Sequence, residues 1–248
     1  ALRTEGFAAI AYDQVGSGYS EGDAPGYVES FGDVITDLQK LAEEEQKRYP
    51  SAKIFALGES AGALVALRHG IGRAVEGLDP SPIAGYILCG PIVRIKKEMM
   101  PPPCVIGIAK FLARFFPKLP LPGVDVTSTF DEAFGDPRWA AAGKADPVVQ
   151  RVINAQMHVR TGAESLGAME FINLPENQKK FKAPIAMIIG EKEVRVDLGA
   201  AFEFYMTAGS DDKYLKVLKG ARHQLFQDQP ELIQVAVQEV ISWLKAHA

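Results

Sequence analysis

The stretch from Lys53 to Gly62 constrains the fold of this chain more than any other part of the sequence. The apolar run Lys53–Gly58 is typical of a buried strand, and a helical pattern begins near Ser60. The turn that joins them, Gly58-Glu59-Ser60-Ala61-Gly62, matches the pattern G-x-S-x-G. A turn this sharp needs glycine on both sides of the serine, because side chains there would clash with neighbouring backbone. The sequence therefore predicts a strand, a tight turn and a helix, with Ser60 projecting from the top of a sheet.

The serine in this turn predicts nucleophilic chemistry. In such an elbow the hydroxyl of Ser60 is the candidate nucleophile, and the glycines Gly58 and Gly62 shape the turn. The backbone N–H of Ala61, at the start of the helix, is a candidate donor to an oxyanion. The alternative is a plain strand–helix turn in which the serine only caps the helix.

Apolar runs alternate with helical patterns at both ends of the chain, which is typical of βαβ units. The predicted strands are Phe7–Tyr12, Lys53–Gly58, Ile83–Cys89, Pro184–Gly190 and Tyr214–Leu218. The predicted helices of this part are Val28–Tyr49, one that begins near Ser60, Leu198–Thr207 and Pro230–His247. We predict an α/β fold with a mostly parallel central sheet flanked by helices.

The alternation stops between Pro91 and about Ala183. We expect residues 1–90 and 184–248 to form the core of the fold and residues 91–183 to form an inserted helical cap or lid. Inserted segments of this size that lack a sheet of their own are usually functional.

Composition excludes several classes of protein. The 248 residues carry 27 Lys and Arg against 31 Asp and Glu, a net charge of −4, which argues against nucleic-acid binding. The two cysteines, Cys89 and Cys104, have no disulfide or metal-ligand spacing, so a reducing compartment fits best and we expect no metal or cofactor. The sequence has neither a membrane-spanning run nor a secretory signal. We therefore expect a protein that is cytoplasmic or peripheral to a membrane; its oligomeric state stays open.

A nucleophilic serine needs a basic histidine. His223 follows a predicted strand, which is where the base belongs when the chain order is serine, acid, histidine. His69 lies nine residues beyond Ser60 on the same helix, about 13 Å away along its axis. His158 falls in the insertion and His247 near the end of the chain. We predict His223 as the base, with a structural or surface histidine as the alternative.

The acid that orients this histidine should leave the strand ending at Gly190. The loop after that strand contains Glu191, Glu193 and Asp197. We favour Glu193, keep Asp197 and Glu191 as alternatives, and note that a solvated run of charges would look the same.

The sequence resembles the monoglyceride lipase and lysophospholipase branch of the α/β-hydrolases, also called the serine-aminopeptidase-like or Hydrolase-4 family. The segments that carry the resemblance are the loop Asp13–Gly22, the turn Gly58–Gly62, the acid loop Gly190–Glu193, the histidine loop Gly220–His223 and, in the insertion, Val159–Gly162. The resemblance implies an α/β-hydrolase fold with Ser60 as nucleophile, His223 as base and Glu193 where the family normally has aspartate. It implies hydrolysis of monoacylglycerol or lysophospholipid-type esters without a cofactor.

The sequence departs from the family pattern at its beginning. The family has further strands before the one predicted at Phe7–Tyr12, and a His-Gly loop among them supplies a second oxyanion donor. The only His-Gly here, His69-Gly70, lies inside a predicted helix. We expect a preceding N-terminal segment, without which the sheet would expose two unpaired edges. This departure and the glutamate at position 193 leave an alternative. The chain could be a catalytically inactive subunit, derived from a hydrolase, with a structural or binding role.

The insertion contains an apolar helix near Val105–Phe116 whose only charges are Lys110 and Arg114. Such a helix packs on the core, lines an acyl tunnel or contacts a membrane surface. The insertion is also locally basic, at Lys96, Lys97, Lys110, Arg114 and Lys118. We expect a lipid-like ester as the substrate and peripheral contact with an anionic membrane surface through the cap.

Overall fold

A computed structural model describes residues 1–121 and 126–248. Four parallel strands form its sheet in the order β1-β2-β3-β4. They are β1 (Ile54–Glu59), β2 (Ile83–Cys89), β3 (Ile185–Gly190) and β4 (Lys213–Leu218). Each begins and ends within one residue of an apolar run in the sequence, and the parallel arrangement confirms the predicted fold class.

Ten α-helices accompany this sheet within the described ranges. Before β3 they are α1 (Phe31–Arg48), α2 (Ala61–Val75), α3 (Pro103–Phe115), α4 (Val126–Ala133), α5 (Pro137–Ala145), α6 (Pro147–Ala155), α7 (Val159–Ile172) and α8 (Pro175–Gln178). After β3 they are α9 (Leu198–Thr207) and α10 (Pro230–His247). None of them is long and apolar enough to cross a membrane.

The two faces of the sheet carry separate parts of the hydrophobic core. Successive side chains of a strand point to opposite faces. In β3, Met187 and Ile189 therefore contact the core that α2 and α9 form on one face, whereas Ala186 and Ile188 face α10. All residues of β3 are buried, which explains why the central strands read as continuous apolar runs.

The segment Phe7–Tyr12, predicted as a strand, is not one. It forms no strand pairing, and Ala8 to Tyr12 are exposed. The outer edge of β1 likewise has no strand partner among the described residues. A strand exists only where a neighbour accepts and donates its backbone hydrogen bonds, so an apolar run without such a neighbour stays an extended, solvated segment.

Helices α3 to α8 lie between β2 and β3 in the chain, in the region for which we expected an insertion. Helix α7 contacts α1, α2 and α3. Its residues Ala168, Met169 and Ile172 are part of the core on the α2 face of the sheet. The helical region is therefore anchored to the sheet through α7.

Candidate active site

Ser60 stands in a strained turn at the end of β1. Its backbone has φ 55° and ψ −115°, a conformation that residues other than glycine seldom adopt. The N–H of Ser60 donates to the carbonyl of Cys89 at the end of β2 (2.9 Å), which fixes the turn to the sheet. A Cβ on Gly58 would lie 2.3 Å from the carbonyl oxygen of Gly62, so only glycine fits there. The same expectation for Gly62 was wrong, because a Cβ at that position points into open space.

His223 lies against the serine although 163 residues separate the two in the chain. Its Nε2 is 2.7 Å from Ser60 Oγ. The histidine is buried, with 3% of its surface exposed. The backbone of Gly90, just after β2, passes so close that a Cβ there would lie 2.7 Å from the His223 carbonyl oxygen. The end of β2 therefore packs directly against the backbone of His223.

Glu193 completes a chain of hydrogen bonds. Its Oε2 is 2.6 Å from His223 Nδ1, and its Oε1 accepts the backbone N–H groups of Arg195 (2.6 Å) and Val196 (3.1 Å). Burial opposes ionisation of this carboxyl. The hydrogen bond and charge of His223, with the two backbone N–H groups, outweigh it and lower the pKa of Glu193 below its usual value. The side chain is therefore a carboxylate at neutral pH.

The structure gives the other two candidate acids different contacts. Asp197 caps α9 by accepting the N–H of Ala200 (3.2 Å) and pairs with Arg94 (2.9 Å). Glu191 accepts the N–H of Gly220 (2.8 Å). Neither is bonded to an imidazole, so Glu193 is the one of the three that the fold brings to His223.

The other three histidines lie in separate environments. His69 is buried between Tyr86 Oη (2.8 Å) and Gln39 Oε1 (2.7 Å), and burial lowers its pKa to about 4. His158 precedes α7, and His247 stacks on a tryptophan near the end of α10. Only His223 of the four is hydrogen-bonded to Ser60.

Ala61 is the first residue of α2. Its backbone N–H has no acceptor among the described residues, as expected in the first turn of a helix. It adjoins the Ser60 hydroxyl in the chain, so it is available to a developing negative charge on a bound substrate.

Glu59 is a site residue that the sequence did not single out. Its Oε1 accepts the N–H of Leu225 (2.7 Å) and of Phe226 (3.3 Å), in the short 3-10 turn that follows His223. Burial raises the pKa of this carboxyl to about 7, although the two N–H groups and His223 lower it in part. A glutamate beside a motif serine looks like any charged turn residue, and only the tertiary contact distinguishes it.

The segment after α4 is bonded to the histidine loop. The N–H of Gln224 donates to the carbonyl of Ala133 (3.0 Å), and that of Asp136 donates to the carbonyl of Gln227 (3.3 Å). The side chain of Arg222 adds a bond to the Phe134 carbonyl (3.3 Å). The region between β2 and β3 therefore touches the site directly.

Helix α3 is more exposed than a helix that packs on the core. Ala113 is its only buried residue, whereas Phe111 and Phe115 are 65% and 58% exposed and contact each other. Lys110 of this helix is paired with Glu170 (2.6 Å), and Lys118 just after it is paired with Asp23 (3.0 Å). The surface is thus apolar, and part of its expected positive charge is neutralised.

The sequence is similar to known lipases. Human monoglyceride lipase is 28% identical over 237 residues, spanning 95% of this chain and 72% of that protein. The yeast (Saccharomyces cerevisiae) monoglyceride lipase is 26% identical over 99% of this chain and 78% of its own length.

Solved structures agree on the fold. The monoacylglycerol lipase of Paleococcus ferrophilus superposes with a TM-score of 0.81 at 23% identity, over 100% of this chain and 86% of that one. A soluble variant of the yeast enzyme, in complex with a substrate analogue, gives 0.79 at 22% identity over 95% of this chain and 76% of that one.

Fold and relatives together define the class as a carboxylic ester hydrolase with the α/β-hydrolase fold. The Hydrolase_4 family model, "Serine aminopeptidase, S33", matches residues 1–230, and the chain belongs to this family.

Proposed function

We propose that this chain hydrolyses monoacylglycerol or lysophospholipid-type esters through an acyl-enzyme on Ser60. The observation that carries the proposal is the continuous hydrogen-bond chain Glu193–His223–Ser60, with contacts of 2.6 and 2.7 Å. This arrangement matches the serine–histidine–acid geometry that activates a hydroxyl for acyl transfer. Glu193 reaches the imidazole with its longer side chain, so the glutamate itself gives no support to an inactive site.

In this proposal each group has a role. Ser60 Oγ attacks the ester carbonyl while its proton passes to Nε2 of His223. The carbonyl oxygen becomes an oxyanion beside the Ala61 N–H. When the carbon–oxygen bond to the alcohol breaks, Nε2 returns the proton to the leaving alcohol. Water then attacks the acyl-serine with the same base, which releases the fatty acid and restores the serine. Glu193 holds the Nδ1–H and stabilises the imidazolium.

The lipid-like nature of the substrate is supported by two observations. The curated relatives named above are monoglyceride lipases. The exposed apolar side chains of α3 (Phe111, Phe115 and their neighbours) provide a surface that an acyl chain or a membrane can contact. We propose that residues 91–183 act as a cap and that α3 is its contact with lipid.

A panel of esters tests this proposal. Purified protein and a Ser60→Ala control are incubated with monooleoylglycerol, oleoyl lysophosphatidylcholine, dioleoylglycerol and p-nitrophenyl butyrate, and the released acid or phenol is measured. We expect hydrolysis of at least one of the first two, abolished in the control. Hydrolysis of the soluble butyrate alone would overturn the lipid assignment. No hydrolysis by folded protein would overturn the enzyme assignment.

A further inference from the structure

Glu59 links the two loops of the active site, and the mechanism above does not use it. It is the last residue of β1 and directly precedes Ser60. Its Oε1 accepts the N–H groups of Leu225 and Phe226 at 2.7 and 3.3 Å. Leu225 lies two residues after His223. One carboxyl group therefore ties the strand that carries the serine to the loop that carries the histidine.

This position is costly for a charged group, which suggests a function. The carboxyl is desolvated at the end of β1, where Glu59 is the register partner of the buried Cys89 of β2. A neutral amide or hydroxyl side chain on β1 could accept the same two backbone N–H groups without the cost of desolvating a charge. A glutamate adds a negative charge that is bonded to the loop just after His223 and adjoins the serine that His223 contacts, where a positive charge develops during catalysis.

We propose that Glu59 is a positioning residue that holds the histidine loop against the serine strand and places a negative charge beside the imidazolium of His223. This inference rests on the proposed hydrolase function. It goes beyond the serine–histidine–acid set, because it assigns a role to a fourth side chain, which contacts the histidine loop at Leu225 and Phe226.

The charges around Glu59 determine how it responds to pH. The titratable groups that face it are His223 on the histidine loop and Cys89 at the end of β2. Burial raises the pKa of the Cys89 thiol well above its usual value, so it stays neutral. Burial also raises the pKa of Glu59 to about 7, and the charge of His223 lowers it in part. Because such coupling is reciprocal, an ionised Glu59 stabilises the positive charge that His223 carries during catalysis.

Two substitutions separate the charge from the contact. Glu59→Gln keeps the size and one acceptor oxygen but removes the charge. We expect the acid limb of the kcat/KM profile for a neutral ester to move down by about half a pH unit. The charge that stabilises the imidazolium is gone, and Glu59, with a pKa of about 7, carries that charge only in part across the limb. Glu59→Asp keeps the charge on a shorter side chain. We expect the limb near its wild-type position, with kcat reduced about tenfold by the loosened loop.

A matched control is Glu44→Gln, which removes the same charge from an exposed position on α1. Its profile should coincide with that of the wild type. A Glu59→Gln profile that coincides with the wild type would overturn the proposal. A loss of kcat with no displacement of the limb would also overturn it, because Glu59 would then be a structural tie alone.

A second measurement does not depend on turnover or on the stability of the Glu59 variants. In wild-type protein with 13C-labelled glutamate carboxyls, one resonance should titrate near pH 7. In His223→Gln its midpoint should move upward, because the neighbouring positive charge is gone. A midpoint that His223→Gln leaves unchanged, or no glutamate titrating near pH 7, would overturn the inference. Failure of the ester panel with a shifted midpoint would instead contradict the hydrolase proposal alone.

Discussion

At the scale of single residues, the two carboxylate oxygens of Glu193 have different partners, and the site depends on both. Oε2 meets the imidazole of His223, while Oε1 is held by the N–H groups of Arg195 and Val196. The backbone bonds fix the rotamer of the acid, and the acid fixes which imidazole nitrogen carries the proton. The same contacts keep Glu193 ionised, since together they lower its pKa in spite of burial.

Glu193→Gln should therefore damage catalysis more than stability. The amide can present N–H instead of oxygen to Nδ1, which favours the wrong tautomer, and we expect kcat to fall by about 10³–10⁴. Steady-state hydrolysis of p-nitrophenyl butyrate measures this, with thermal melting as the check on folding. Glu191→Gln, in the same loop, tests the assignment of the acid. A larger loss of kcat in Glu191→Gln than in Glu193→Gln would contradict it.

At the scale of elements, a buried polar contact joins two helices to the sheet. His69 of α2 lies between Gln39 of α1 and Tyr86 of β2, with both ring nitrogens hydrogen-bonded. Burial keeps this imidazole neutral and lowers its pKa to about 4, compared with an ordinary value of 6.5. Between these two values the unfolded chain binds a proton that the folded protein excludes.

The sign of this effect predicts a loss of stability in acid. Above pH 6.5 the histidine is neutral in both states and contributes no pH dependence. As the pH falls from 6.5 to about 4, the unfolded state gains protons and the folded state loses up to about 3 kcal/mol of relative stability. In His69→Gln this contribution is absent. Urea unfolding at pH 7 and pH 4.5 should show a smaller drop in the free energy of unfolding for the variant than for the wild type. Equal drops would show that His69 does not cause the loss of stability in acid.

The elements also show what the sequence could predict. The helices Leu198–Thr207 and Pro230–His247 were predicted with their observed bounds, because a capping aspartate or a first-turn proline marks their starts. The run Phe7–Tyr12 has the composition of a strand, yet it is not paired. Composition reports the tendency of a segment, whereas pairing depends on what lies beside it.

At the scale of the whole molecule, the exposed surface of α3 lies outside the sheet and its core. Phe111 and Phe115 are more than half exposed, and nearby Lys110 and Lys118 are paired with acids. An attraction to lipid through this surface would be mainly hydrophobic, with a small dependence on salt.

The double substitution Phe111→Ser and Phe115→Ser should weaken binding to phosphatidylcholine vesicles by about tenfold or more, since two large apolar side chains are removed. Co-sedimentation measures the binding, and hydrolysis of p-nitrophenyl butyrate should stay within about twofold of the wild type. Phe202→Ser on α9, where the ring is 38% exposed, is the matched control. Equal binding by the wild type and the double variant would contradict a role of α3 in lipid contact.

The long-range organisation of the site was partly predictable. Ser60, His223 and Glu193 each follow a strand of one parallel sheet, and the carboxyl ends of such strands meet at one edge. This is why residues 163 and 30 positions apart could be grouped from the sequence. Glu59 could not be grouped with them, because its partners are backbone N–H groups of a distant loop. Every residue except proline has such a group, so the residue types of a sequence do not indicate the contact.

The proposed mechanism requires Ser60 to be an activated nucleophile. The direct test is covalent labelling with a fluorophosphonate probe, measured by intact mass on the wild type, Ser60→Ala and His223→Gln. We expect one adduct per wild-type chain, none on Ser60→Ala, and labelling slowed by about 10³-fold or more on His223→Gln. Equal labelling of wild type and Ser60→Ala, or no labelling of folded wild-type protein, would contradict it.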